Sequence, residues 1–448
     1  MYLPAKLFQC WQDSTMTPFG FTPGNSEDPN EPVDFAAMME QMQQQIQEQF
    51  SKLGINGPGF TGSTEALPKN IVRDTAKKFT TVQGSSPIGA NDVAEIEQAI
   101  SIAELWLDEA TFFPKSPNTG NVALARTDWV DTTLAGWQTT VEPLAVGLSS
   151  AIGELLNQAS FGEGEAGETS ADEQPQIPIG MISALLNSFI GSLIATQLGQ
   201  AIGGLAGTVT GAHDVGLPLV DSAYPTLLPQ NIKEWATDLE IPMDEVRIFH
   251  ALREAAIARL FSHNPWLVSY IQTAITEYGK GINIDLDAIQ EQAQRAIESG
   301  NGFDPANPES FTIALNEGIF TPQESPAQRA ALTKLETVLA LIDGWSEEVV
   351  ALAAGERLPN IAALQETLRR RRATSAPAQQ LFSSMLGLQV SPRLAREATV
   401  FWKQVREIKD IESRDRLWSG ILPTADDLLN AESFMKSLEI PDDLSGLI

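Results

Sequence analysis

A chain of 448 residues with 43% apolar side chains has material for two or three ordinary domains, or for one large helical domain with tails, and is not globally disordered. Acidic residues outnumber basic ones by 58 to 29, and the resulting net charge of −29 repels phosphate backbones and anionic membrane surfaces, which argues against nucleic acid as a partner. The single cysteine, Cys10, rules out an intramolecular disulfide and any centre built on several thiolates, and it fits a reducing, cytoplasmic setting.

The first fifteen residues carry no apolar run followed by a small-residue cleavage site, so no signal peptide is expected, and Met16 is an alternative start. Up to about Pro32 the composition is rich in Pro, Gly, Asn and Asp, the pattern of a flexible tail. One polar helix follows, with Phe35, Met38, Met39, Met42, Ile46 and Phe50 near helical spacing, and it closes the tail region at about residue 60. From 66 to 161 the spacing predicts an N-terminal helical region. Its clearest helix carries the stripe Val93, Ile96, Ile100, Ala103, Leu107, with Asn91 or Asp92 as cap and Pro114 as the stop. The acidic stretch 162–176 has no apolar stripe and reads as a loop and internal boundary. Beyond it, Gly180 to Gly207 is apolar enough to raise a membrane question, but Asn187, Gln197 and Gln200 interrupt it and no Lys or Arg flanks it. A buried helix or helix pair is expected there, with Gly191, Gly199 and Gly203 permitting close neighbours, and no membrane span.

The remainder, 177–448, is helical nearly throughout, with clear helices near 244–261, 326–354, 360–373 and 391–408. Sustained period-two strands are missing, although short strands are conceivable in loops such as VGLPLVD. The fold class is therefore mainly α. Glycine-rich phosphate loops and nucleophile elbows are also missing, which removes the corresponding enzyme classes.

The helix from Asp244 to Ser262 is the informative one. Val246, Phe249, Ala256 and Leu260 form its inward stripe, and Arg253 lies on that side, between Phe249 and Ile257. Two readings stand: a buried acidic partner for the guanidinium, or a side chain that snorkels outward along the edge of the core.

The segment NIKEWATDLEIPMDEVRIFHALREAAIARLFSHNPWL resembles an actinobacterial zincin-like family, whose members are called zinc-dependent metalloproteases or hydrolases and are of unknown function. TDWVDTTLAGWQTTVEPLA with Trp129 and Trp137, HDVGLPL, ALIDGWSEEVV, LRRRRATSAPAQQLFSSMLGL and DRLWSGILPTADDL extend the resemblance over roughly residues 66 to 430. It implies a zincin-like helical core, with an additional N-terminal helical region and a flexible N-terminal tail. In the family's more complete members His-Glu-x-x-His presents two imidazoles to zinc while the Glu polarises water. Here those positions read Arg253, Glu254, Ala255, Ala256 and Ile257. Glu254 keeps the general-base position, whereas neither a guanidinium nor an alkyl group offers a lone pair to a metal. Asp343 would map to the third ligand, so a pair between Arg253 and Asp343, or less directly Glu254, is expected in place of the metal.

His250 and Glu254, four residues apart, form an alternative site; His213 and His263 complete the histidines, the latter placed as a helix-end residue. The run Arg369 to Arg372 reads as a solvated, salt-bridged helix end, with anion binding as the alternative. The resemblance thus implies a zinc-free, catalytically inactive homologue with no cofactor, which acts as a binding or scaffold protein for an unidentified protein or peptide partner. The alternative is an active zinc-dependent metalloprotease or hydrolase with non-standard ligands.

Overall fold

The computed structural model describes residues 66–162, 179–282, 325–375, 394–420 and 422–439, without the side chains of 152–162, 179–190 and 374–375. The expected tail with its polar helix, and the acidic stretch beyond Gly162, lie outside them. Twelve α-helices and two short 3-10 turns account for the ordered elements among the described residues.

Helix α1 (Lys69–Gln83) buries Val72, Ala76 and Thr80, one residue per turn, and lays this face on α4 (Ile179–Ala206). A side chain at Gly199 or Gly203 of α4 would press within 2.8 Å of Val72 O or Ala76 O, so the glycines set the closeness of this pair. The stretch 180–207 is thus one helix packed on protein, and among the described residues no helix is long and apolar enough to cross a membrane. Helix α2 (Ala90–Leu107) begins where the Gly89 N–H donates to Asp92 Oδ2 at 2.9 Å, so Asp92 acts from inside the first turn rather than as the cap residue. The helix also ends well before Pro114. Asp415 accepts from Phe112 N–H at 2.7 Å and from Thr111 Oγ1 at 2.6 Å, and this capture turns the chain out of helical geometry.

Helix α3 (Arg126–Gly162) carries Trp129 and Trp137, both fully buried and packed edge to face at 6.3 Å. Helices α5 (Pro229–Trp235), α6 (Met243–His263) and α7 (Trp266–Lys280) follow the α4 connection, and α8 (Pro326–Ala354) opens on a reciprocal cap between Ser325 and Gln328. After it come α9 (Ile361–Ser375), α10 (Ala395–Ile408), α11 (Ile411–Arg416) and α12 (Ala431–Ser437). Ala398, Phe401, Trp402 and Val405 turn one face of α10 onto α8, where Trp402 Nε1 donates to Leu341 O at 3.0 Å.

Phe60–Ile448 forms one compact unit, and helices before the acidic stretch share a core with those after it: α1 with α4, α2 with α6, α3 with α7. At the centre is α6, buried on every side from Phe249 to Phe261 and contacted by α2, α5, α8 and α9. A single inward stripe underestimates this enclosure. The fold is mainly α, and among the described residues the loops contribute only isolated bridges, Ala123 to Leu227 and Gly211 to Leu227. VGLPLVD forms no strand; Leu217 and Leu219 are buried, and Gly216 N donates to His213 O at 2.9 Å.

Candidate functional site

Enclosure of α6 decides the fate of Arg253. The residue is 5% exposed, so it does not snorkel, and its Nη2 donates to Asp343 Oδ1 of α8 at 2.8 Å. Asp343 Oδ1 also accepts from Arg372 of α9, whose other nitrogen reaches Asp214 Oδ1 at 2.7 Å and Asp214 O at 3.1 Å. Asp214 Oδ2 in turn accepts from the backbone N–H of Thr210 at 2.9 Å and from its hydroxyl at 3.1 Å. Two guanidiniums and two carboxylates therefore alternate along one chain, from the buried Arg253 to the half-buried Asp343, Arg372 and Asp214, anchored on the loop that follows α4.

The charges stabilise one another against desolvation. Burial alone would raise the Asp343 carboxyl, but Arg372 and then Arg253 outweigh it and hold the group below the ordinary carboxylate range. Asp214 follows the same balance, with Thr210 N–H adding to the two arginines. For Arg372, burial would lower the pKa, and Asp343 and Asp214 raise it instead. The arginine run is accordingly not a solvated helix end. Arg372 is half-buried in this chain, Arg369 pairs with Glu347 of α8, Arg371 lies with its guanidinium carbon 4.6 Å from the Trp235 ring centre, and only Arg370 is exposed, paired with Glu366.

Glu254 points elsewhere. Its Oε1 accepts from Ala212 N at 3.0 Å, His213 N at 3.2 Å, Thr226 N at 3.2 Å and the His213 ring at 2.8 Å, with Nδ1 as the donor. The carboxylate thus gathers the loop at 211–213 and the extended segment at 226 onto α6. A Cβ at Gly211 would stand 2.2 Å from Glu254 Oε2, so only glycine lets the loop wrap so tightly. Every donor to Glu254 belongs to this wrapping, and no contact joins it to Arg253 or Asp343 among the described residues.

His250 is buried beside these groups, its ring edge-on to Trp235 at 4.6 Å. Burial lowers its pKa to about 3; Asp214 pulls the other way, and Arg253, Arg371 and Arg372 add to the lowering. Its Nε2 has no hydrogen-bond partner among the described residues. His263 closes α6, stacks on Phe113 and contacts Pro114 O at 3.0 Å.

Among the described residues no three His, Cys, Asp or Glu side chains are grouped so as to hold a metal ion. Arg253 and Ile257 lack lone pairs, Asp343 already accepts from two guanidiniums, and Glu254 is surrounded by donors, so the residues present do not fit a tetrahedral zinc. The structure brings Arg253 and Asp343 together, with Ile257 buried one turn along α6, and leaves Glu254 and His250 in separate environments. Sequence reasoning missed Asp214 and Arg372 as members of the chain. They are 158 residues apart, and the one hint was the position of Asp214 directly after His213 in the stretch HDVGLPL.

A helix enclosed by four others and carrying Arg253, Glu254 and Ile257 stands at the centre of this mainly helical protein. The chain belongs to the zincin-like metallopeptidase family, whose model matches residues 69–435. Among curated proteins none matches. A solved structure of similar fold, described as a "putative hydrolase with a novel fold" from Chloroflexus aurantiacus, shares 17% identity and a TM-score of 0.55, covering 84% of this chain and 100% of that one.

Proposed function

We propose that this chain is a zincin-like protein without zinc at the motif position, unable to hydrolyse peptides, that acts by binding a protein or peptide partner. The observation that carries the reading is the Asp343 carboxylate shared by Arg253 and Arg372. Two fixed cations stand beside the acid that the resemblance maps to a zinc ligand, so its charge is balanced without a metal. Glu254, the residue in the general-base position, accepts through Oε1 from backbone amides and the His213 ring and through Oε2 from His213 N at 3.2 Å, so it is engaged in holding the loop.

Elemental analysis of protein purified without chelators tests this directly. The expected result is less than stoichiometric zinc, together with no cleavage of a mixed peptide library. Stoichiometric zinc that is lost in His250→Ala would instead support the rival reading, an active metalloprotease or hydrolase with unusual ligands, for which the unpartnered Nε2 of His250 among the described residues is the relevant observation. In the double substitution Arg253→His with Ile257→His, two imidazoles return to one face of α6, and zinc uptake above the parent chain is expected.

A further inference from the structure

Helix α9 is held to the body by charge more than by packing. Of residues 361–373 only Leu364 is fully buried, whereas α10, a helix of similar length, buries Ala398, Phe401, Trp402 and Val405. What fastens α9 is polar. Gln365 Nε2 donates to Glu347 O at 3.1 Å, Arg369 Nε to Glu347 Oε1 at 2.8 Å, and Arg372 to Asp214 Oδ1 at 2.7 Å and to Asp343. The side chains of Arg372, Asp214 and Asp343 keep 17%, 13% and 17% of their surface exposed, against 1% and 6% for Arg259 and Glu104. Water therefore reaches the pairs of α9, and such pairs exchange partners at lower cost than pairs sealed from solvent.

A cleft of about 250 Å³ opens between the end of α4, the helix α5 and the last turns of α9. Asp214 and Trp235 line it, and so do Arg371 and Arg372, which fill two places on its wall. Arg371 lies with its guanidinium carbon 4.6 Å from the Trp235 ring centre, the stance of a cation on an aromatic face. Arg372 sits between two carboxylates from different elements, Asp214 of the loop after α4 and Asp343 of α8. An aromatic face beside an acid pair is a receptor for two cations, and consecutive arginines of the chain itself occupy it. Both carboxylates are held ionised by the surrounding guanidiniums, so the departure of Arg372 calls for another positive group in its place.

We propose that α9 is a built-in competitor, whose Arg371 and Arg372 cover a surface that binds a basic peptide segment of a partner, with two adjacent cationic side chains. The partner exchanges its cations for those of α9, one on the Trp235 ring and one between Asp214 and Asp343, so the charges of the site stay balanced before and after. A chain with a net charge of −29 draws such a segment toward it. The inference rests on the reading of this chain as a binding protein, to which it adds the chemistry of the partner. Zinc content and peptide cleavage test that reading separately, so a failure of basic-peptide binding leaves it standing.

The experiment is calorimetric titration of the full chain with N-acetyl-Arg-Arg-amide at low ionic strength. Arg372→Gln, in which the competitor is weakened, should bind the dipeptide saturably and at least about tenfold tighter than the parent chain. Arg370→Gln makes the same change in net charge at an exposed residue paired with Glu366, and should bind like the parent. Adding Asp214→Asn to Arg372→Gln should remove the gain, which separates this site from general attraction to an acidic surface. Thermal unfolding shows which variants are folded. If Arg372→Gln is not, the parent chain decides: excess dipeptide should quicken amide hydrogen exchange across 361–373 and leave α6 unchanged. The proposal is overturned if folded Arg372→Gln binds no tighter than the parent, if Arg370→Gln shows the same gain, or if the combination with Asp214→Asn retains it. With Arg372→Gln unfolded, unchanged exchange in α9 of the parent overturns it equally.

Discussion

Two buried arginines stand six residues apart on α6, and they are held in opposite ways. Arg259 uses all three nitrogens: it donates to the Glu104 carboxylate at 2.5 and 2.9 Å, to Asp108 at 2.8 Å, and to the carbonyls of Glu104 and Phe113 at 2.8 and 3.0 Å. Among the described residues Arg253 makes a single side-chain hydrogen bond, to an oxygen that it shares with Arg372. The first arrangement is a closed knot that ties α6 to α2 and to the chain leaving it. The second is an open chain of alternating charges that ends beside a cleft. A saturated charge marks architecture, whereas a carboxylate shared between two cations marks a place where charge is balanced in more than one way. This is why the functional proposals attach to one end of α6 and not the other.

Removing the knot should give the largest effect. Arg259→Ala leaves the Glu104 carboxylate buried without its cation, and a loss of about 3–5 kcal/mol is expected in urea unfolding, against a smaller loss for Arg253→Ala, where Arg372 still neutralises Asp343. If the two substitutions cost the same, the contrast between knot and chain fails. Acid comes next. His250 is held neutral, so the unfolded chain takes up its proton first as the pH drops below the ordinary value of about 6.5, and stability present at neutral pH is lost down to the folded value of about 3. Between pH 6.5 and 4.5 this amounts to about 2–3 kcal/mol, and His250→Leu should flatten that window in unfolding curves taken at successive pH values. Below about pH 4 the depressed Asp214 and Asp343 add a loss of the same sign.

A smaller effect sharpens the open chain itself. Arg253→Ala and Asp343→Asn should be non-additive by about 1–2 kcal/mol in a double-mutant cycle, because the second change removes the acid that the first leaves under-compensated. Arg372→Ala should cost more than Arg253→Ala, since it strips a cation from two acids at once. Smallest of all, Arg370→Ala at the exposed end of the same run should change stability by no more than about 0.5 kcal/mol.

The helices were legible because their apolar spacing is local. Ala398, Phe401, Trp402 and Val405 announce α10, and the Ser325 to Gln328 cap announces the start of α8. What periodicity could not show was enclosure. α6 reads as one-sided, and only the convergence of four other helices makes Arg253 a buried charge. The pairing of Arg253 with Asp343 was reachable through the resemblance, which placed an acid opposite the motif. Asp214 and Arg372 were not reachable, because a lone Asp in a loop and one arginine among four carry no periodic signal, and their meeting depends on how the loop after α4 folds back over α9. The end of α2 escaped for a similar reason, since the Asp415 carboxylate that captures Phe112 comes from the far end of the chain.

The wrapping of Glu254 changes what a familiar control experiment would measure. In a zinc peptidase, replacing this glutamate with glutamine is the routine way to silence the enzyme while sparing its shape. Here Glu254 also holds the loop, so the amide oxygen of glutamine must take the Oε1 place to keep the N–H groups of Ala212, His213 and Thr226, while its NH2 faces the His213 N–H that Oε2 shares at 3.2 Å, in a loop that Gly211 packs closely against the carboxylate. Glu254→Gln would therefore report on the assembly of the loop as well as on chemistry, and a variant scored as inactive by that test needs its fold checked before a catalytic role is read from it.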